Sequence, residues 1–168
     1  NQLTNRDKLS VVFNLGAMAG VRASVNNPSI YYDSNVTGTL NLLELCREFD
    51  TRKFVLSSTS SVYGDQTKVP FKESYNTDRP LSPYAASKKA AEALLYSYHH
   101  ILGIDTAVLR YFTVYGPAGR PDMSIFRFIK GIAEEETITV FGDGSQSRDF
   151  TYVGDIARGT ILASQLSG

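Results

Sequence analysis

Cysteine, net charge and long apolar runs are almost absent from this sequence, and each absence argues against a class of protein. Cys46 is the single cysteine, so the chain has no internal disulfide and no cysteine cluster with metal-ligand spacing. We therefore predict no bound metal and a reducing compartment, the cytoplasm. The 17 basic and 17 acidic side chains cancel, which argues against a nucleic-acid or membrane-surface partner.

Membrane and low-complexity features are also lacking. No apolar run reaches the ~18–20 residues that cross a bilayer, and no signal-peptide pattern is present. The 168 residues are enough for one domain with a substantial core. We therefore expect a single domain without a membrane anchor.

Short apolar runs rich in β-branched residues alternate with helical patterns. The predicted strands cover 9–15, 53–58 and 106–112, and the predicted helices cover 36–46 and 83–102. The second of these helices carries an apolar stripe at Leu94, Tyr98, Ile101 and Leu102. A loop at 113–121, a helix at 125–132, extended runs at 137–141 and 148–153, and a helix from Asp155 follow. This alternation predicts an α/β fold with a parallel sheet and flanking helices.

Polar and small residues follow three of the predicted strands, at 16–20, 57–61 and 113–120. The carboxyl ends of parallel strands meet at one edge of a sheet, and ligands bind there. We therefore predict that the three clusters line one cleft.

Tyr84 and Lys88 lie four residues apart at the start of the predicted helix 83–102. In a helix this spacing places both side chains on one face. A free tyrosine, with a pKa near ~10, is a poor base at neutral pH, but a fixed ammonium group nearby favours the phenolate. Such a pair can take a proton from a sugar hydroxyl while hydride leaves the carbon. The alternative is a surface tyrosine beside a solvated lysine.

Six further motifs accompany this pair in a fixed order. They are Asn14–Arg22, Asn35–Thr39, Ser57–Gly64, Arg110–Pro117, Gly119–Met123 and Arg148–Tyr152. With them the chain resembles the extended short-chain dehydrogenases/reductases, within these the NAD-dependent nucleotide-sugar epimerase/dehydratase family, and most of all its UDP-glucuronate 4-epimerases. The resemblance implies a Rossmann-like fold and NAD as cofactor.

The resemblance also implies that parts of the family fold are absent. Nothing here matches the family's glycine-rich G-x-x-G-x-x-G turn or the acidic residue that binds the adenosine ribose. We therefore expect residues 1–168 to be a partial NAD(P)-binding Rossmann-like domain that lacks the first strands and the C-terminal part. The substrate-binding region is expected to start within about 117–152. The chain alone is expected to be inactive.

Roles for individual residues follow from the motif match. The implied catalytic residues are Thr59, Tyr84 and Lys88. The implied cofactor-binding residues are Leu15, Gly16, Ala17, Met18, Asn35 and Phe112, together with Tyr84 and Lys88. The implied substrate-binding residues are Ser60, Ser61, Thr113, Arg120 and Arg148. Thr59 could instead be a strand-end turn threonine, Arg120 could be a solvated loop arginine, and Arg148 could pair with Asp149 or Asp155.

Two departures from family patterns indicate the reaction and the sugar. Dehydratases and decarboxylases of the family carry acidic residues where this chain has Ser60 and Ser61, which favours simple epimerisation. Thr113 replaces the asparagine usual in UDP-galactose-type epimerases and, with Arg120, matches the pair that holds a uronic-acid carboxylate. A guanidinium fork and a hydroxyl suit a carboxylate.

The sequence therefore predicts an NAD-dependent epimerase that inverts C4 of a UDP-sugar, UDP-glucuronate being favoured, through a transient 4-keto intermediate. A UDP-glucose or UDP-GlcNAc 4-epimerase, or another dehydratase or reductase of the family, is the second interpretation. A truncated, non-catalytic dimerising module is the third. The resemblance also implies a homodimer formed through the helices at about 34–48 and 83–102.

Overall fold

Helices and strands alternate along the chain, as the sequence predicts. The computed structural model describes residues 9–140 and 142–167. The strands are β1 (Val11–Asn14), β2 (Lys53–Thr59), β3 (Asp105–Tyr111), β4 (Thr113–Tyr115) and β5 (Phe150–Tyr152). The helices are α1 (Val21–Asn26), α2 (Pro28–Tyr32), α3 (Gly38–Glu48), α4 (Pro83–Leu102), α5 (Ser124–Ala133) and α6 (Val153–Ala163). A π-helical turn (Asp33–Thr37) joins α2 to α3, and a 3₁₀ turn (Ser60–Tyr63) follows β2.

The described residues form two compact units. The first contains the chain up to Tyr111 and again from Leu162, and the second is Phe112–Ile161. In the first unit β1, β2 and β3 form a parallel sheet with β2 in the centre. The register pairs Asn14 with Leu56 and Thr59 with Tyr111. The α/β class with a parallel sheet is thus confirmed.

The core of the first unit lies between the central strand and two helices. Phe54 and Leu56 of β2 are fully buried and pack with Leu43 of α3 and with Ala91 and Leu95 of α4. Because β2 has a neighbour on each side and buries most of its side chains, it reads as a continuous apolar run rather than an alternating one.

The predicted apolar stripe on α4 is only half right. Leu94 and Tyr98 pack against the core as partly buried side chains, but Ile101 is 72% exposed and Leu102 is 40% exposed. The face that α4 buries instead carries Leu95 and several small or charged residues. These are Ala85, Ser87, Lys88, Ala91 and Glu92. Charged residues on the buried face hid its helical periodicity from the sequence analysis.

The bounds of α4 agree with the predicted helix because its ends carry clear signals. Ser82 Oγ accepts a hydrogen bond from the Ala85 N–H at 3.1 Å and caps the first turn. Pro83 fits the first helical position, where its missing N–H costs nothing. Gly103 ends the helix with φ of 68°, a left-handed conformation that glycine adopts easily. Tyr84 is thereby fixed in the first turn.

Four local predictions need correction. Thr113–Tyr115 is a strand rather than a loop, because it pairs in parallel with Phe150–Tyr152 far along the chain. Residues 137–140 form no strand despite their β-prone composition, while residue 141 lies outside the described residues. The last helix begins at Val153, two residues earlier than predicted, and the helix predicted from 36 continues a helical path that starts at Pro28.

The described residues contain neither a helix suited to a membrane nor a cluster of metal ligands. Among residues 9–140 and 142–167, no helix combines the length and apolar character that crossing a membrane requires. In the same ranges no three histidine, cysteine, aspartate or glutamate side chains group as metal ligands.

Candidate functional site

Tyr84 and Lys88 lie one turn apart on α4, and the lysine is almost completely buried. Only 2% of Lys88 is exposed, so the alternative of a solvated surface lysine is wrong. Burial lowers the pKa of the Lys88 ammonium to about 8, and the negative charge of Glu92, one turn further on, opposes that shift. Tyr84 is half-buried and packs edge-on against Tyr31 of α2, with ring centroids 6.2 Å apart.

Lys88 therefore needs a polar partner that the described residues do not provide. None of them hydrogen-bonds to its ammonium group, and a buried charge without a partner is costly. Three donors on one nitrogen suit a ligand with several hydroxyl oxygens, such as a ribose.

The hydroxyl cluster at the end of β2 packs against the same helix. Thr59 is buried as the last residue of the strand, and its Oγ1 accepts the N–H of Ser61 at 3.2 Å. Thr59 thus caps the 3₁₀ turn, as the alternative interpretation has it, but its own hydroxyl hydrogen remains available to a ligand. Ser60 and Ser61 are half-buried in that turn.

Asn35 ties the predicted cofactor loop to α4. Its Oδ1 accepts the Met18 N–H at 2.8 Å, and its Nδ2 donates to the Met18 carbonyl at 3.0 Å. The same Nδ2 donates to Ser87 Oγ at 2.9 Å, and Ser87 donates in turn to the Tyr84 carbonyl at 2.8 Å. One buried amide thus fixes the loop after β1 relative to the turn of α4 that carries Tyr84.

A second set of hydrogen bonds holds Asn35 itself. Asn14, the last residue of β1, donates from Nδ2 to Thr39 Oγ1 at 2.9 Å, and Thr39 donates to the Asn35 carbonyl at 2.7 Å. Asn14 therefore joins the end of β1 to the helical segment that carries Asn35.

The residues after β1 leave room for a cofactor. Leu15, Gly16 and Ala17 are exposed and Met18 is half-buried. A Cβ added at Gly16 would meet no atom within 4 Å. The loop therefore presents open backbone and small side chains, and the partnerless ammonium of Lys88 supplies a cation. These features fit NAD, whose ribose hydroxyls and amide need such donors and acceptors.

The predicted carboxylate pair comes together in the second unit. Thr113 and Arg120 line one cavity of about 170 Å³, together with Gly116, Gly119 and Met123. Arg120 is an exposed residue, but its guanidinium is engaged by Asp122, with Nε to Oδ1 at 3.0 Å and Nη2 to Oδ2 at 2.5 Å. Hydrogen bonds from Arg120 lower the pKa of the Asp122 carboxyl.

Two more predicted residues lie in the second unit. Phe112, which follows β3 and precedes β4 in the sequence, is half-buried. Arg148 is exposed, and its Nη1 donates to the Ser147 carbonyl. Its predicted alternative role, an ion pair with Asp149 or Asp155, is not formed in the described residues, since Asp155 instead pairs with Arg158 at 2.9 Å.

The clusters at 16–20 and 57–61 thus belong to the first unit and that at 113–120 to the second. A single cleft lined by all three stays a prediction. Ser87 and Glu92 are further candidate site residues for which no role was predicted, although both lie on the buried face of α4 with Lys88. Glu92 follows Lys88 by four residues, and that spacing was the available signal.

Comparison with known proteins identifies the family. Residues 1–167 match the NAD dependent epimerase/dehydratase family. The chain belongs to this family. A UDP-glucuronate 4-epimerase of Thermodesulfobacterium geofontis is 65% identical over 155 residues, which are 92% of this chain and 48% of that protein. The resemblance predicted from the motifs is confirmed.

Solved structures of the epimerase/dehydratase family agree. The UDP-glucuronic acid 4-epimerase of Bacillus cereus, in complex with UDP-glucuronic acid and NAD, is 42% identical with a TM-score of 0.87, over 95% of this chain and 51% of that one. A UDP-glucose 4-epimerase of Thermotoga maritima with UDP-glucose is 36% identical with a TM-score of 0.85, over 92% and 51%. The chain spans about half the length of these relatives. NAD is the cofactor of this family, as predicted.

Replacing Asn35 tests whether the amide positions the cofactor loop. Asn35→Ala removes three hydrogen bonds, one buried and two part-buried, and takes away the Asn35 partner of both the Met18 N–H and the Met18 carbonyl. We expect a loss of about 2–4 kcal/mol in the free energy of unfolding, since each orphaned buried group costs ~1–3 kcal/mol. We also expect at least about tenfold weaker NAD binding by the complete protein, the equivalent of ~1.4 kcal/mol.

Asn26→Ala is the matched control, because Asn26 is exposed at the end of α1. Its unfolding free energy should change by less than ~0.5 kcal/mol. Denaturant titration and calorimetric NAD titration measure both effects. Unaltered NAD affinity in Asn35→Ala would show that the amide serves stability alone.

Proposed function

We propose that the complete protein is an NAD-dependent epimerase that inverts C4 of UDP-glucuronate. One observation carries the proposal: a buried Lys88 lies one turn from Tyr84 in a chain 65% identical to a UDP-glucuronate 4-epimerase. Because the chain spans about half of its relatives, we propose this activity for the complete protein and expect residues 1–168 alone to be inactive.

Tyr84 is the proposed acid/base. Its phenolate takes the proton of the C4 hydroxyl, and the Lys88 ammonium, desolvated but still protonated at neutral pH, stabilises the negative charge. The Thr59 hydroxyl donates to the reacting sugar oxygen. NAD, when bound, supplies a reversible acceptor for the C4 hydride. After the 4-keto sugar has turned, Tyr84 returns the proton as hydride returns to the opposite face, so the products balance the reactants.

The residues beside Thr59 favour epimerisation over elimination. Ser60 and Ser61 are neutral hydroxyl groups, and neither can serve as the carboxyl acid/base that dehydration next to a keto group requires. The open Leu15–Met18 loop, held in place by the buried Asn35, and Phe112 are the proposed cofactor contacts. Arg148 is the proposed partner of the nucleotide diphosphate, because its exposed guanidinium is free of acidic partners in the described residues.

Thr113 and Arg120 are the residues proposed to bind the substrate carboxylate. Support comes from the cavity that both line and from the fit of a guanidinium fork to a planar carboxylate. Asp122 now occupies that fork, but an exposed ion pair contributes only ~0–1 kcal/mol. A substrate carboxylate can therefore take the place of Asp122.

The same ion pair supports a second candidate function. If Asp122 stays on Arg120, the site carries no net positive charge and suits a neutral sugar. The protein would then be a UDP-glucose or UDP-GlcNAc 4-epimerase.

We also propose a cytoplasmic homodimer formed through the helices at 34–48 and 83–102. In support, α3 and α4 carry exposed apolar side chains, among them Leu45, Tyr96 and Ile101, and such side chains are enriched where proteins associate. Light scattering of the complete protein should give twice the mass of one chain, and a monomer mass would exclude the dimer.

Turnover tests the proposed reaction. The complete protein, incubated with UDP-glucuronic acid and no added NADH, should give a steady mixture of UDP-glucuronic and UDP-galacturonic acids by NMR. Tyr84→Phe should lower the rate by at least ~100-fold, since proton transfer contributes ~10²–10⁴, while NAD stays bound. Turnover of UDP-glucose or UDP-GlcNAc alone would favour the second candidate.

Removal of the guanidinium tests the carboxylate assignment. Arg120→Ala should raise KM for UDP-glucuronate about 10–100-fold and leave KM for the neutral UDP-glucose within about twofold, because a charge-assisted hydrogen-bonded pair contributes ~1.5–3 kcal/mol. Arg158→Ala is the control, since Arg158 is likewise exposed and paired with a nearby aspartate. Equal effects of Arg120→Ala on both substrates would mean that Arg120 does not bind the carboxylate.

A further inference from the structure

A buried network of polar side chains lies directly behind Lys88. Glu92 follows it by one turn of α4, and its carboxylate accepts three hydrogen bonds. Arg110 of β3 donates from Nε to Oε1 at 3.1 Å and from Nη2 to Oε2 at 2.9 Å, and Ser58 of β2 donates from Oγ to Oε1 at 2.5 Å. The Glu92 side chain is 7% exposed and that of Arg110 is 19% exposed.

Arg110 is held in turn by groups beyond the helix. Its Nη1 donates to the Tyr63 hydroxyl at 3.3 Å and to the Glu73 carbonyl at 3.2 Å. The guanidinium lies 5.1 Å from the centre of the Tyr63 ring, and Tyr63 stacks on Phe71. The network therefore joins α4 to both neighbouring strands and to the turn after β2.

The network connects the elements that carry the proposed acid/base residues. Ser58 immediately precedes Thr59, so the Ser58–Glu92 bond fixes the strand end with the Thr59 hydroxyl against the helix with Tyr84. In addition, a buried ion pair is often no more stabilising than an apolar pair of the same size. The fully hydrogen-bonded Glu92 carboxylate is therefore better explained by an effect on Lys88 than by a gain in stability.

Titratable and charged groups surround Lys88 on every side of α4. The titratable and charged side chains on the elements that pack against α4 are Arg22 on α1, Tyr31 and Tyr32 on α2, Asp33 on the π-helical turn, Glu44, Cys46, Arg47 and Glu48 on α3, Lys53 on β2, Tyr63 on the 3₁₀ turn, and Asp105, Arg110 and Tyr111 on β3. Those on α4 itself are Tyr84, Lys89, Glu92, Tyr96, Tyr98, His99 and His100. Of these, Glu92 lies one turn from Lys88 on the buried face of α4, and its negative charge raises the Lys88 pKa against the effect of burial.

We propose that Glu92 is a positioning residue that keeps Lys88 protonated inside the protein and that Ser58 and Arg110 hold its carboxylate in place for this purpose. The inference rests on the proposed function in so far as Tyr84 and Lys88 are the acid/base pair. Glu92 itself acts through Lys88 and touches neither sugar nor cofactor in this scheme.

Two single substitutions separate this role from a structural one. Glu92→Gln and Arg110→Met break the same ion pair and should destabilise the fold to a similar extent. They change the charge beside Lys88 in opposite directions, since the first removes a negative charge and the second a positive one. A purely structural network would make the two variants behave alike.

The measurement is the titration of Lys88 in the complete protein. Lysine side-chain NMR signals are followed against pH, and the Lys88 signal is identified by its loss in Lys88→Met. We expect the midpoint to fall by about one pH unit in Glu92→Gln and not to fall in Arg110→Met, because a nearby charge in a partly desolvated site shifts a neighbour by this order. In Glu92→Gln, the midpoint of the alkaline limb in the pH profile of kcat/KM should fall together with the Lys88 midpoint.

The double variant Glu92→Gln/Arg110→Met covers the case in which a single variant does not fold. Replacing both partners removes the unpaired charge and restores stability, and the Lys88 midpoint should still lie below that of the parent protein. A midpoint that stays at the parent value in both Glu92→Gln and the double variant would overturn the proposal. Since the titration needs no sugar, a lack of turnover with UDP-glucuronate would count against the proposed function alone.

Discussion

The burial of one ammonium group is the constraint around which the first unit is arranged. Lys88 is 2% exposed, and a charge so far from water is tolerated only beside groups that favour it. The helix that carries it is capped by Ser82, tied to the loop after β1 through Asn35 and Ser87, and tied to two strands through Glu92. Together these contacts fix the first three turns of α4. Under the proposed function, the protein gives up stability to keep the acid/base pair in one place, a trade common at catalytic sites.

Much of the fold could be predicted from local signals in the sequence, and the wrong predictions have two causes. The bounds of α4 follow from Ser82, Pro83 and Gly103, and the three strands of the first sheet from apolar runs. In contrast, β4 pairs with residues 150–152, and no local pattern at 113–115 reveals a partner so far away. Residues 137–140 show the converse, because β-prone residues form no strand without a partner. The buried face of α4 escaped notice because two of its members, Lys88 and Glu92, are charged.

The candidate site also combines features that local sequence predicts with contacts that it does not. Spacing along one helix predicted that Tyr84 and Lys88 share a face, and motif matches predicted that Asn35 and the residues after β1 belong together. The bonds that make them a site join residues far apart in sequence, as in Asn35 with Ser87 or Ser58 with Glu92. Such contacts depend on strand register and helix packing, which pattern analysis does not supply. The pairing of Arg120 with Asp122 was missed for a different reason, since a loop conformation decides it.

The hydrogen bonds of the Asn35 amide limit which side chains can replace it at position 35. Its oxygen faces an N–H, while its nitrogen faces a carbonyl and a hydroxyl. Aspartate has the same shape but no donor, and would set a negative charge against the Met18 carbonyl. Glutamine has the right groups on a chain one methylene too long for a site that is 1% exposed. Libraries built to test the proposed cofactor loop should therefore leave position 35 fixed and diversify the exposed residues 15–17 beside it.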